Sequence, residues 1–242
     1  MNSKKFLVTD TETIGVGNRA IVFDFAYVIS TRKQILQERS FLVREVLTNP
    51  ALMFSAIADD NWRESFGGKI FRHYIPALDE SRLKIFGWQD IIETLRDDMR
   101  TYDVDVFAAY NLPFDTKAIG KTHAHIQETG KVLAYRPDML CLWDFSCSTV
   151  CNTQLYHDVA RRMGQDAGWL TPADNVRTTA EKVYAYLTGN FDFIESHTAL
   201  EDAQIETEIL YRLLKRKKTI PYNNPHIGMP WQRAQQIKGR LI

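Results

Sequence analysis

Long apolar runs are missing from this 242-residue chain. No stretch reaches the ~18 consecutive apolar residues that a membrane-spanning helix needs, and the run behind Met1 is too short for a secretory signal peptide. Cysteine is scarce, and the three cysteines form no Cys-x-x-Cys pair; they are Cys141, Cys147 and Cys151. We therefore expect a cytoplasmic protein without membrane association, with small reduced thiols favoured over a zinc site.

An excess of charge of either sign is missing as well. The 30 Lys and Arg residues balance 30 Asp and Glu residues, so the formal net charge is zero. Attraction to nucleic acid must then be local. From Lys215 to the end the chain has no acidic residue, and it carries Tyr222, His226 and Trp231. This tail is either a solvated terminus that wraps the domain or an arm that contacts phosphate and stacks on a base.

Hydrophobic periodicity predicts an α/β fold with a mixed sheet. Three β-rich segments, 5–10, 20–29 and 35–43, fit an antiparallel meander, and 104–110 is a later strand that a crossover would add in parallel. Helical spacing predicts helices at 48–64, 88–102, 115–127, 153–163, 175–187 and 199–217. Residues 138–150 fit either a strand or a helix.

No linker-like stretch interrupts the middle of the chain. The sequence therefore predicts one main domain over 1–217, followed by the basic tail 218–242. Residues 45–88 link the third strand to the helix at 88–102.

The first strand ends in two carboxylates, Asp10 and Glu12, separated by one residue. Side chains two apart on a strand share a face, so these like charges would lie side by side. Burying them unpaired is costly, and a divalent cation with oxygen ligands, Mg²⁺ or Mn²⁺, would remove that cost. The alternative is an ordinary strand end whose carboxylates are solvated in a turn.

Four further polar residues have both a structural and a functional interpretation. Asp115 follows the later strand and fits an N-cap, and Asp24 lies within an apolar strand as a hydrogen-bonded residue or a metal neighbour. Asp202 comes one turn into a helix whose start is fixed by the capping box Thr198–Glu201. His197 precedes that cap and, taken alone, fits an ordinary hydrogen-bonded histidine.

Taken together, the pattern Asp10-x-Glu12, Asn-x-x-Phe114-Asp115, His197-x-x-x-x-Asp202 resembles the DEDD exonucleases of the histidine subtype. That group includes the proofreading epsilon subunit, ribonuclease T and oligoribonuclease. The resemblance covers residues 5–30, 105–120 and 175–214.

The resemblance implies a ribonuclease H-like α/β fold whose mixed sheet, an antiparallel meander plus parallel strands, is flanked by helices. It implies two divalent ions and removal of nucleotides from a 3′ end as nucleoside 5′-monophosphates. Asp10 would bridge the ions, while Glu12, Asp115 and Asp202 complete the ligand set. His197 would be the general base that takes a proton from the attacking water.

The same resemblance assigns contacts to the nucleic acid. Thr13 and Glu12 would contact the terminal 3′ hydroxyl, and Ile14 would pack against the last base. Asn111 is also expected to bind the nucleic acid. Phe114 either packs beneath that base or belongs to the core. Tyr110 departs from the group, in which many members have histidine before this asparagine. Residues 45–88 also depart from it: they are longer than the group's usual link between the third strand and the first helix, and this extended segment either caps the site or binds a partner.

Two functions follow from the sequence. The first is a metal-dependent 3′→5′ exonuclease on single-stranded nucleic acid, with DNA slightly favoured over RNA although no 2′-hydroxyl contact is identified. The second is a proofreading or processing subunit that acts mainly as a binding module. It would dock on a polymerase or another replication or RNA-processing protein, and the long segment 45–88 motivates it.

Overall fold

A computed structural model describes most of the chain, namely residues 4–15, 19–53, 74–80, 83–126, 129–216, 219–224 and 229–237. Most of the predicted helix 48–64 lies outside these residues. The chain forms two compact units. The first comprises Met1–Phe107, Pro113–Pro137 and Ser196–Gln204, and the second comprises Ala108–Leu112, Asp138–Glu195 and Ile205–Ile242.

The sheet has six strands in the order β4-β3-β2-β1-β5-β6. They are β1 (Phe6–Ile14), β2 (Ile21–Ser30), β3 (Ile35–Val43), β4 (Ile85–Phe86), β5 (Val106–Ala109) and β6 (Asp138–Cys141). β1, β2 and β3 pair antiparallel, and β3 pairs with β4 in parallel. The predicted meander and mixed sheet are therefore confirmed, while the sequence patterns did not identify β4 as a strand.

Helices flank this sheet. They are α1 (Arg44–Leu47), α2 (Ile75–Asp79), α3 (Trp88–Tyr102), α4 (Leu112–His125), α5 (Leu142–Ser146), α6 (Gln154–Met163), α7 (Ala180–Thr188), α8 (Ala199–Arg216) and α9 (Pro230–Gln235), with a π-helical turn at Cys147–Cys151. Among the described residues, no helix combines the length and apolar character that crossing a bilayer requires.

Two predicted helix starts are wrong. α7 begins at Ala180 and not at Asn175, because the Thr179 side chain accepts the backbone N–H of Lys182 as an N-cap. α4 begins at Leu112 and not at Asp115, since a proline near the start of a helix has a suitable φ and needs no N–H partner there. The ambiguous segment 138–150 divides into β6, α5 and most of the π-helical turn.

The core of the first unit is aromatic and centres on β2, all ten residues of which are buried. The Phe25 ring stacks on Phe41 at 6.5 Å and meets Trp88 edge-on at 6.2 Å between centroids. The Trp88 indole Nε1 donates a hydrogen bond to His123 Nδ1 at 3.1 Å. Burial on both faces explains why β2 reads as a continuous apolar run instead of an alternating one.

A buried carboxylate ties the meander to α3. Asp98 Oδ2 accepts hydrogen bonds from the Tyr27 hydroxyl and from Arg39 Nε, both at 2.8 Å. Burial, reinforced by the Asp98 charge, holds the pKa of Tyr27 well above its ordinary value. The phenol therefore stays a proton donor to this carboxylate.

We expect Asp98→Ala to lower the free energy of unfolding by about 2–4 kcal/mol, because it leaves the buried Tyr27 hydroxyl and the Arg39 guanidinium without their acceptor. Urea unfolding followed by circular dichroism measures this change. Asp97→Ala is the matched control on the same helix: its side chain is 76% exposed and paired with Arg100, so its cost is below about 0.5 kcal/mol. Equal costs for the two variants would contradict the assignment.

The second unit is organised around Tyr110. Its hydroxyl donates to the Thr178 carbonyl at 2.6 Å, and its backbone N–H donates to Glu206 Oε2 at 2.9 Å. Its carbonyl accepts the backbone N–H of Trp143 at 2.7 Å. The residue that departs from the exonuclease pattern is thus a buried structural tyrosine here, and burial raises its pKa. The three cysteines are buried and free.

The described part of the tail packs within the second unit. The Asn223 side chain donates to Asp138 Oδ1 at 2.9 Å and accepts the backbone N–H of Met139 at 2.9 Å. In α9, Arg233 forms an ion pair with Asp144. These contacts hold the described residues of the tail in defined positions within the second unit.

Candidate active site

Three carboxylates share one face of β1 and β2. Asp10 and Glu12 lie on the same face of β1, and Asp24 of β2 is the cross-strand partner of Glu12. The register shifts between Glu12 and Thr13, and such irregularities redirect a strand next to many functional sites. Asp10 and Glu12 are half-buried and Asp24 is 1% exposed, so this face carries closely spaced negative charge.

The segment at the start of α8 brings two more side chains to Glu12. One ligand atom each from Glu12, His197 and Asp202 lies within 4.8 Å of the other two. Asp202 is buried, whereas His197 is exposed and has a φ of 58°. A non-glycine residue in this left-handed region is uncommon, and backbone strain of this kind is concentrated at functional sites.

Asp24 holds the start of α8 in place. Its Oδ2 accepts the backbone N–H of Ala199 at 3.0 Å and the Tyr74 hydroxyl at 2.8 Å. A carboxylate at a helix N-terminus is stabilised by the orphan N–H groups and the helix dipole. The interpretation of Asp24 as a hydrogen-bonded residue is therefore confirmed. This residue also fixes the start of α8, the helix that carries Asp202.

The capping-box residues mark the predicted start of α8. The helix begins at Ala199, directly after Thr198. The Thr198 hydroxyl donates to Glu201 Oε2 at 3.1 Å, and the Ser196 hydroxyl also donates to that carboxylate. These contacts order the turn that presents His197.

Asp115 lies in the first turn of α4 and is 3% exposed. Its Oδ1 accepts the Thr11 hydroxyl at 2.8 Å. Burial raises the pKa of Asp115 to about 7, and the nearby Glu12 charge adds to this effect while the Thr11 hydrogen bond opposes it. The expected N-cap role is wrong because the helix starts earlier. Among the described residues, the group that Glu12 forms with His197 and Asp202 does not include Asp115 or Asp10.

The carboxylates also influence Tyr74. Burial raises the pKa of its phenol far above the ordinary value, and the charges of Asp24, Glu12 and Asp10 add to that effect. This clustering of anions favours a bound cation, which would lower their mutual repulsion. Carboxylate oxygens are donors that fit a divalent ion such as Mn²⁺ or Mg²⁺, and the His197 imidazole lies beside them.

The residues predicted to contact nucleic acid have different environments. Thr13 is half-buried, and its hydroxyl donates to the Gly15 carbonyl at 3.3 Å. Ile14 is 3% exposed, so its side chain is covered by protein. Phe114 is half-buried in the first turn of α4, and Asn111 is exposed in the turn before that helix. Their nucleic-acid contacts stay predictions.

Two residues of the site were missed from the sequence. Thr11 lies between the two carboxylates of β1, and its side chain faces the opposite side of the strand. Its hydroxyl was therefore a sequence signal for a hydrogen-bond partner on that side. Tyr74 follows the segment 54–73 and belongs to a stretch without firm periodicity, so no sequence signal linked it to Asp24.

Comparison with known proteins gives little. No protein-family model matches the chain, and no curated protein matches it. Among solved structures, one similar chain is described as "Exonuclease X in complex with 5′ overhanging duplex DNA". The two chains are 15% identical, the match covers 97% of this chain and 99% of that chain, and the TM-score is 0.45. At this level of similarity, function has to be inferred from the chain's own site.

We expect Mn²⁺ at about 100 times its dissociation constant to raise the melting temperature by roughly 5–10 °C, because it binds only the folded carboxylate cluster. Asp202→Asn should remove more than half of this rise, since it deletes one charged ligand. Differential scanning calorimetry with and without Mn²⁺ measures the effect. Asp97→Asn, which changes an exposed carboxylate, should keep the full rise. A full rise in Asp202→Asn would rule out the site.

Proposed function

We propose that the protein is a metal-dependent 3′→5′ exonuclease that acts on single-stranded nucleic acid and releases nucleoside 5′-monophosphates. The observation that carries this proposal is the convergence of Glu12, His197 and Asp202 within 4.8 Å, beside Asp10 on the same strand face as Glu12. A carboxylate cluster with an imidazole at its edge supplies both metal ligands and a proton acceptor, the two components that phosphodiester hydrolysis requires.

Four carboxylates are the proposed metal ligands. Glu12 and Asp202 belong to the converged group, Asp10 shares the strand face of Glu12, and Asp115 is near enough for the Glu12 charge to raise its pKa. When bound, two divalent ions would activate the attacking water and stabilise the leaving 3′ oxygen. Thr11 orients Asp115 through its hydrogen bond, and Asp24 orients the helix that carries Asp202.

His197 is the proposed general base. Its exposed side chain can reach a water molecule at the edge of the cluster, and imidazole is the side chain most often used for general base catalysis. Its ring also lies close enough to Glu12 and Asp202 to act as a ligand. Truncation of His197 lowers the metal affinity if this residue is a ligand, and leaves it unchanged if the residue is only a base.

The 3′ polarity rests on the proposed contacts around the strand end. Thr13 and Glu12 would hold the terminal 3′ hydroxyl, and Ile14, Phe114 and Asn111 would contact the last nucleotides. Phe114 is half-buried, which leaves part of its ring available for stacking. Ile14 would reach a base only after its covering residues move.

The alternative function, a binding module docked on a polymerase or processing protein, draws on residues 45–88. Residues 54–73 of that segment lie outside the described residues, and no observation on the described ones favours this function. The intact carboxylate cluster favours catalysis instead.

We expect purified protein with Mg²⁺ or Mn²⁺ to shorten a 5′-labelled single-stranded oligonucleotide step by step and to release a 3′-terminal label as a mononucleotide at once. Denaturing gels with parallel DNA and RNA substrates measure polarity and substrate class together. Asp10→Ala should lose at least about 10³-fold in rate, because removing a charged ligand disrupts electrostatic stabilisation of the reacting phosphate. Full activity in Asp10→Ala, or early release of a 5′ label, would refute the proposal.

We expect His197→Ala to lose about 10²–10⁴-fold in rate while keeping the Mn²⁺-dependent rise in melting temperature, because a base is lost and no ligand is. Single-turnover hydrolysis and calorimetry on the same sample measure the two effects. His125→Ala, at an exposed histidine in α4, is the control and should change neither. Loss of the Mn²⁺ effect in His197→Ala would make this residue a ligand instead.

A further inference from the structure

The second unit contains a cavity of about 340 Å³ that the proposed reaction does not use. Two tryptophans, Trp143 and Trp231, line it together with Val176, Asn175, Arg177 and three threonines. Small-molecule sites usually have volumes of about 300–1,000 Å³, mostly apolar walls and a few polar groups. The size and lining of this cavity therefore fit one planar ring system.

The walls of the cavity are fixed by hydrogen bonds. The Trp143 indole Nε1 donates to Thr178 Oγ1 at 2.8 Å. The Gln235 amide of α9 accepts the backbone N–H of Val176 at 3.0 Å and donates to its carbonyl at 3.2 Å. A cavity whose walls are held in this way loses little conformational entropy when a ligand binds.

Two further contacts hold α9, the helix that carries Trp231. His157 Nε2 forms a hydrogen bond with the Ala234 carbonyl at 2.8 Å, and Arg233 pairs with the buried Asp144. Trp231 itself is 38% exposed. A well-anchored helix thus presents a large, partly exposed indole to the cavity, an arrangement that core packing alone does not require.

The charge that lines the cavity favours an anionic ligand. Arg177, the charged residue among the described lining residues, is exposed at the cavity. A phosphodiester chain complements this charge, and its bases stack on aromatic side chains without regard to sequence.

We propose that this cavity binds an unpaired nucleobase of single-stranded nucleic acid, stacked on Trp231, with Arg177 at a neighbouring phosphate. The inference rests on the proposed function in that both take single-stranded nucleic acid as the ligand. It adds a nucleic-acid contact that lies outside the carboxylate cluster and does not need a metal ion.

Fluorescence anisotropy tests this site on the full chain in EDTA, so that hydrolysis cannot interfere. The probes are a 12-nucleotide fluorescein-labelled oligothymidylate and an abasic oligonucleotide of the same length and charge. Trp231→Ala should weaken binding of the oligothymidylate by about 5- to 100-fold, the range expected for loss of one stacked base. Trp231→Phe, which keeps an aromatic face, should stay within about threefold of the wild type. The abasic probe should bind all three proteins alike.

Different outcomes separate this inference from the proposed function. Equal oligothymidylate binding by Trp231→Ala and the wild type overturns the inference, as does an equal loss with the abasic probe, which would indicate a phosphate contact only. A wild-type cavity that instead binds a proline-rich peptide through Trp231, without binding the oligothymidylate, also overturns it. Circular dichroism of each variant checks folding. Trp231-dependent binding in a protein without metal-dependent hydrolysis would sustain the inference and refute the exonuclease.

Discussion

Repulsion between carboxylates on one face of β1 is the constraint on which the site depends. Asp10 and Glu12 share a strand face, Asp24 faces Glu12 across the ladder, and Asp202 joins them from α8. Like charges at this spacing destabilise the fold unless protons, hydrogen bonds or a cation compensate them. Asp24 and Asp115, which both lie near Glu12, receive different compensation, and the difference separates a structural acid from a candidate ligand.

Asp24 is compensated by hydrogen bonds, whereas Asp115 is compensated in part by a raised proton affinity. The Tyr74 hydroxyl and the Ala199 N–H both donate to Asp24, so this charge is used to position α8. Asp115 accepts a hydrogen bond from the Thr11 hydroxyl, yet burial still raises the pKa of Asp115 to about 7. A buried carboxyl whose proton affinity remains raised after its hydrogen bond is suited to exchange that proton for a divalent ion.

The sequence predicted the parts of the structure that depend on local chemistry. The meander, α3 and the start of α8 follow from periodicity and a capping box, and the pairing of Asp10 with Glu12 on one face follows from strand alternation. The starts of α4 and α7 were wrong because Pro113 and Thr179 compete with the hydrophobic pattern in setting helix ends. Local sequence patterns therefore identified the acidic residues of the site, but they did not predict where every helix begins.

The contacts that escaped prediction are long-range ones. Tyr74 reaches Asp24 and Trp143 reaches Thr178, and both pairs join segments whose separation in sequence gives no sign of their proximity. The hydrogen bonds of Gln235 to Val176 are of the same kind. Tertiary packing decides such contacts, so they emerge only once the fold is known.

The neutral net charge conceals an uneven distribution. The chain carries equal numbers of acidic and basic residues, yet the segment beyond Leu214 has no acidic one. A carboxylate cluster repels a phosphodiester backbone unless cations are bound. If the chain acts on nucleic acid as proposed, it needs a separate attraction to that polyanion, and the proposed contact at Trp231 and Arg177 would add one that does not require a metal ion.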